Sequence, residues 1–337
     1  MTLAFSIETS CDETSVAIVD NNGKILNQIT ENQQVHNKFG GVVPEIASRA
    51  HLQILQRIIP LSFKQAKLNL NDIDIFCATC GPGLIGGLLV GSTIAKSMAI
   101  GINKPFYPIN HLEGHLISPT FNNILKFPNL SILLTGGHTQ IYFIKKPNDY
   151  KLLGETVDDA VGESFDKVAK MLGHKYPGGP IIEKMAMDGN PEAHKFPRAY
   201  LEKGSLDFSF SGLKTSVKTY INKRQTHKQG DLTDNDIAAG FQDAVVEVLC
   251  KKIIMACEKE ELTRVVVTGG VAANGSLRNA VESVCDRSGF KSWFPAPVFC
   301  TDNAAMIACA GYHKFNSFPE SKADLLNLDA SASLVLD

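Results

Sequence analysis

The sequence predicts an α/β protein of two duplicated halves, each a mixed sheet covered by helices. Three observations predict it. A run of three short strands occurs twice in the chain; each run is followed by strands and helices in alternation; and 337 residues at 44% hydrophobic content can bury two ordinary cores. Alternation of the two element types implies helices packed on a sheet.

Leu3 to Glu8 opens the first run as a buried strand, Ser15 to Asp20 is the second strand, and Asn21-Asn22-Gly23 turns the chain into a third at Lys24 to Thr30. Ile73 to Ala78 reads as a further strand and Leu84 to Ile100 as the helix behind it. The second run is Leu130 to Leu134, Thr139 to Ile144, a polar Lys-Pro-Asn-Asp turn, and Lys151 to Thr156. A long helix near Asn235 to Glu258 sets Ile237, Phe241, Val245, Val248, Leu249 and Ile253 at helical spacing, a stripe that faces a core. Arg264 to Thr268 is again a strand, with a helix near Ser276 to Val284 after it. Lys203 to Gly230 is polar and basic and is expected to form a mobile excursion from the second half. The expected division is 1–128 for the first half and 129–302 for the second, with 303–337 packing back onto the first. A cleft between the halves should collect the loops of both.

Charged residues make up 20% of the chain and the formal net charge is -2, so nothing global advertises a polyanionic partner. Any nucleic-acid contact must come from a local patch. The Met1 to Ser6 start lacks a basic flank and a long apolar stretch, and no apolar run reaches membrane-spanning length, so a soluble cytoplasmic protein with no membrane association is expected. The eight cysteines are scattered through apolar segments and read as reduced thiols. Cys77 and Cys80 form a C-x-x-C without the second pair that a zinc site would need.

His111-Leu112-Glu113-Gly114-His115 places two imidazoles at i and i+4, neighbours on one helical face and able to share one metal ion once a third ligand is found. Glu113 follows His111 by two positions, about 200° round a helix, and not by the one position of a zinc-protease motif. It should point away from the metal, which disfavours a metalloprotease. Three glycine-rich turns follow strands: Leu133-Leu134-Thr135-Gly136-Gly137-His138-Thr139, Tyr176-Pro177-Gly178-Gly179-Pro180, and Val267 to Gly275. Glycine admits close approach of backbone to a ligand, and turns that enter helices offer N–H groups to phosphates. Gly81 to Gly86 matches G-x-G-x-x-G in form, but the acidic residue about 20 positions later is missing; Gly86 to Gly91 has P-loop spacing with Ser92 in place of the lysine. Neither dinucleotide nor P-loop binding follows.

Taken together, Ile7 to Ser15, His111 to His115, Leu133 to Thr139, Glu163-Ser164-Phe165-Asp166-Lys167, Tyr176 to Pro180, Thr268 to Asn274 and Cys300-Thr301-Asp302-Asn303-Ala304-Ala305 closely resemble the TsaD/Gcp family of tRNA adenosine threonylcarbamoyltransferases, in family order across nearly the whole chain. The resemblance implies an actin/hexokinase/Hsp70-like fold of two ribonuclease-H-like halves. It implies Asp302 as the third ligand beside His111 and His115 on a divalent metal, iron(II) in the first place, with zinc or magnesium as alternatives; two histidines and one carboxylate suit iron(II) chemically as well. It places substrate on Leu133, Leu134, Thr135, Gly136, Gly137, Asp166, Gly179 and Asn274. Glu183, one helical turn past Gly179, is a further candidate for the nucleotide ribose.

The implied reaction moves the threonylcarbamoyl group of L-threonylcarbamoyl-adenylate to the exocyclic amine of the adenosine 3′ of the anticodon, in tRNAs reading codons that start with A. Asp12 and Glu13, at the end of the first strand, are candidates for accepting the amine proton. The family also implies a TsaB-like partner subunit and a TsaE-like ATPase. The glycine loops alone would equally allow a phosphotransferase or ATPase of the same fold. For tRNA, the local cations are Lys203, Lys214, Lys218, Lys223, Arg224 and Lys228, against Glu202 and Asp207.

Overall fold

In the computed structural model the described residues are 1–38, 41–119, 126–200, 202, 204–227, 232–318 and 329–336. The chain separates into two units, one of residues 1–125, 147–149 and 301–337, the other of 126–146 and 150–300.

The first unit is built on a five-stranded sheet of order β3-β2-β1-β4-β5, from β1 (Leu3–Glu8), β2 (Glu13–Asp20), β3 (Ile25–Asn32), β4 (Ile75–Gly81) and β5 (Phe106–Asn110). The first three strands pair antiparallel, while β4 lies parallel to β1 and β5 parallel to β4. Strand residues alternate between faces. Phe5 and Ile7 of β1 accordingly join Leu55 and Ile58 of α1 (Pro44–Ala66) and Ala95 and Ala99 of α2 (Ile85–Gly101) in one core. Ser6, pointing the other way, donates to Ala304 O of α9 (Ala304–Ser317) at 2.6 Å, and Gly311 of that helix lies directly against Cys77. Covered on both faces, β1 is buried at every residue. The chain's last described stretch returns to the same unit, where Ser331 N donates to Cys80 O at 2.8 Å.

The second unit repeats the plan. Its strands β6 (Asn129–Leu134), β7 (Thr139–Lys146), β8 (Asp149–Glu155), β9 (Arg264–Thr268) and β10 (Lys291–Trp293) run in the order β8-β7-β6-β9-β10, the first unit's order with each strand replaced by its counterpart. Here too the first strand pairs antiparallel with the second and parallel with the fourth. The duplication read from the two strand runs is therefore carried through the whole sheet. Helices α4 (Val161–Met171), α5 (Gly179–Met187), α7 (Asp234–Lys259) and α8 (Gly275–Arg287) complete a core in which Phe165 meets Phe241 edge-on at 5.1 Å. The predicted stripe of α7 is buried as expected.

One segment differs from its expectation. Residues 211–227, expected within a mobile excursion, form α6 (Ser211–His227), and Leu213, Val217 and Ile221 are buried at i, i+4 and i+8. The Asp158 carboxylate accepts from Phe210 N and Ser211 N at 2.8 and 3.2 Å and so satisfies the start of the helix. Three apolar residues among many polar ones are enough for one packed face. Lys203 and Lys228, of the same basic stretch, lie outside the described residues. Among the described residues, no helix is long and apolar enough to cross a membrane.

Candidate metal centre and ligand loops

The metal candidates are brought together entirely within the first unit. α3 (His111–Ile117) starts where β5 ends, and the Asn110 side chain accepts from Leu112 N at 2.9 Å to cap it. The i, i+4 spacing then puts the two imidazoles side by side, with ring centroids 4.8 Å apart. Asp302 stands just before α9, whose own cap is Asn303, accepting from Met306 N. Asp302 Oδ1 is 3.0 Å from His115 Nε2 and 3.5 Å from His111 Nε2. One donor atom from each of the three residues lies within 4.8 Å of the others. Two nitrogen donors and one carboxylate form a set that fits a divalent transition metal with coordination positions left open. His115 is fully buried and His111 nearly so, which keeps the donors in place.

Two close packings fix α3 against α9. A Cβ on Gly114 would come within 2.9 Å of Ile307 Cδ1 and 3.1 Å of Met306 Cγ, so glycine lets the helices approach. Glu113, with a side chain only 1% exposed, pairs with Lys314 Nζ at 3.2 Å. Its carboxylate is thereby tied to α9.

Sequence reasoning missed the next layer. Glu8, at the end of β1 and fully buried, reaches His111 Nδ1 with Oε2 at 3.2 Å. The same carboxylate accepts from Ser10 N at 2.6 Å and from the Thr79 hydroxyl. Burial alone would raise the Glu8 carboxyl, but the His111 charge and hydrogen bond hold it below the usual carboxylate range. Burial alone would depress His111, but Asp302 and Glu8 push it up to about 9. A glutamate ending a mostly apolar strand was the available signal.

Asp12 and Glu13 lie in the loop and at the start of β2, both partly buried. Burial, joined by the charges of Asp302 and Asp12, pushes Glu13 up to about 9. Glu13 belongs to the charge environment of Asp302 and His111.

The remaining candidates are in the second unit: on β6 and the turn after it, within α4 and α5, and at the start of α8. Leu133 and Leu134 are fully buried, so they can offer a ligand only their backbone. Thr135 holds the turn that follows: its hydroxyl accepts from Gly137 N and His138 N at 3.2 and 2.9 Å. Asp166 is raised by burial and accepts from Gly178 N at 2.7 Å, tying α4 to the Gly-Gly turn before α5. Glu183 Oε1 accepts from Gly275 N at 2.7 Å at the start of α8. Asn274 caps that helix through Leu277 N and donates to Gln242 Oε1 at 2.8 Å. Gly136, Gly137, Gly179 and Gly270 differ from the crowded glycines: a Cβ on any of them meets nothing within 4 Å, and none has a positive φ. The fold does not require glycine there, whereas a ligand approaching the backbone would.

The family model described as TsaD, tRNA N6-adenosine threonylcarbamoyltransferase, matches residues 24–309. The chain belongs to the TsaD family. Curated relatives of that description agree: one from Thermodesulfovibrio yellowstonii is 47% identical over 317 residues, 93% of this chain and 94% of the relative. Another, from Clostridium beijerinckii, is 43% identical over 99% of this chain and 98% of its own length. TsaD membership makes the chain an acyltransferase of tRNA modification. Among solved structures, HypF from T. kodakarensis superposes with a TM-score of 0.66 at 14% identity, over 96% of this chain and 49% of that one. Component A of the (R)-2-hydroxyglutaryl-CoA dehydratase of Acidaminococcus fermentans gives 0.52 at 16% identity, over 93% of this chain and 98% of that one. These likenesses, with the duplicated sheet, establish the actin/hexokinase/Hsp70-like fold.

Proposed function

We propose that this TsaD-family enzyme takes L-threonylcarbamoyl-adenylate as donor and the exocyclic amine of the adenosine 3′ of the anticodon as acceptor, in tRNAs that read codons starting with A. The amine nitrogen bonds to the carbamoyl carbon, the bond from that carbon to the phosphate oxygen breaks, AMP departs and the amine proton is lost. The observation that carries the reading is the convergence of His111, His115 and Asp302 in a chain of this family.

Each group of residues has a task suited to its chemistry. An aromatic amine is a weak nucleophile, so most of the acceleration must come from positioning and from stabilising charge on the leaving phosphate. Backbone at Leu133, Leu134, Thr135, Gly136, Gly137, Gly179 and Asn274 suits the adenylate, with Asp166 and Glu183 holding two of those turns in shape. Glu183 is also the proposed contact to the ribose. Asp12 and Glu13 are the proposed proton acceptors; Glu13, pushed up to about 9, can accept only in its deprotonated form. A divalent cation, iron(II) by donor type with zinc or magnesium as alternatives, supplies Lewis-acid stabilisation of phosphate charge when bound to His111, His115 and Asp302. The partners that go with this reading are tRNA, a TsaB-like subunit and a TsaE-like ATPase, in the cytoplasm.

The test is an assay of purified protein with synthetic L-threonylcarbamoyl-adenylate and an unmodified tRNA transcript, with and without those two partner proteins. Mass spectrometry of the digested tRNA should find threonylcarbamoyladenosine 3′ of the anticodon, and its absence with both partners present would sink the reading.

A further inference from the structure

From the geometry around His111 we infer that Glu8 is a positioning residue for the metal centre: its carboxylate fixes the proton of His111 on Nδ1, so that Nε2 is the atom offered to the ion. This rests on the metal-site reading above and adds a fourth residue to it, one that does not itself bind the metal.

The placement follows from the sheet. β1, β4 and β5 are parallel neighbours; Glu8 ends β1, His111 follows β5 directly and Thr79 lies two residues inside the carboxyl end of β4, the side of such sheets where ligand sites gather. Ile7 is opposite Ala78 in the register, so the next residues, Glu8 and Thr79, meet side chain to side chain. A carboxylate with no exposure to solvent must have its oxygens satisfied by protein donors. Here Oε1 takes Ser10 N, and Oε2 takes the Thr79 hydroxyl and His111 Nδ1. These three donors come from three separate elements, which leaves the carboxylate little freedom to turn. The Ser10 hydroxyl, 3.2 Å from the same nitrogen, can accept from it as well, so both neighbours of Nδ1 are compatible with a proton there. His111 Nε2 meanwhile faces Asp302. Carboxylates in this position orient a metal-bound imidazole and raise its basicity, and losing one costs about 10–100-fold in metal affinity.

Glutamine at position 8 is a sharp probe because it keeps the shape and spoils the pattern. With its carbonyl toward Ser10 N, its amide group points donors at His111 Nδ1 and selects the wrong tautomer; turned over, it sets N–H against N–H at Ser10.

The experiment uses the full-length chain and zinc(II) as probe. Affinity is read by competition with a chromophoric chelator for wild type, Glu8→Gln and His111→Ala. In parallel, the histidine side chains of 15N-labelled, zinc-loaded wild type are assigned by NMR. The expected result is near-complete loss of the site in His111→Ala, a tenfold or greater weakening in Glu8→Gln, and a His111 that carries its proton on Nδ1 and binds through Nε2. Wild-type affinity in Glu8→Gln, alongside loss in His111→Ala, overturns the role of Glu8 and leaves the metal site standing. Equal affinity in His111→Ala and wild type overturns the metal site and this inference with it. The NMR arm needs no variant: a proton on Nε2 of His111 overturns the inference even if Glu8→Gln fails to fold.

Discussion

His115 Nε2 stands 3.0 Å from Asp302 Oδ1, although 187 positions separate the two residues in the chain. The pairing depends on α3 and α9 packing together and not on any local turn, and Asp302 contributes no cap to α9, since Asn303 does that. Asp302→Ala should therefore lower metal occupancy more than tenfold while the fold survives. Elemental analysis of the purified variant, with its thermal unfolding as control, checks this; wild-type occupancy would remove Asp302 from the ligand set.

Gly137 and Gly270 have open space where a Cβ would stand, whereas a Cβ on Gly162 would come within 2.7 Å of the Thr135 carbonyl oxygen. Gly137→Ala and Gly270→Val should change stability by no more than about 0.5 kcal/mol, while Gly162→Ala should cost about 1–3 kcal/mol by overpacking. Affinity for a non-hydrolysable adenylate analogue should fall in the first two all the same. A folded Gly270→Val that binds the analogue normally would show that the adenylate lies elsewhere.

Lys314 is the cation facing the buried Glu113 carboxylate. Removing it in Lys314→Met should destabilise the protein by about 2–4 kcal/mol, somewhat under the usual cost of breaking a fully buried pair because Lys314 keeps some solvent. Urea unfolding measures it. The double variant Glu113→Gln with Lys314→Met should recover much of the loss; if it is no better than the single variant, the pair is not what holds the two helices.

The basic stretch proposed for tRNA is narrower than its composition suggests. Lys214 is taken by Asp159, and Arg224 by Asp234 at 2.6 Å. Among the described side chains of α6, Lys218 and Lys223 are exposed to solvent. Reversing both to Glu should weaken all tRNA substrates alike and flatten the salt dependence by about one unit per lost phosphate contact. Filter binding across a salt series reads the slope, and an unchanged slope would place the tRNA on another surface. Metal content should not move.

Much of this molecule is determined by sequence alone. The two strand runs fixed the duplicated α/β plan because period and turn chemistry are local: Asn21-Asn22-Gly23 turns the chain whatever surrounds it, and the apolar run Leu3 to Ile7 demands burial. The i, i+4 histidines were legible for the same reason, as neighbours on one helix face. What only the tertiary structure decided is which distant groups meet them. Nothing near Glu8 in the sequence announces His111, and α6 was hidden because three apolar residues in a polar stretch carry little signal until a core exists to receive them. Glu113 shows both sides at once: its spacing turned it away from the metal, but only the packing of α9 supplied Lys314. Local patterns are set by backbone geometry repeating every few residues, whereas ligand sets and buried ion pairs depend on which chain segments the sheet order brings together.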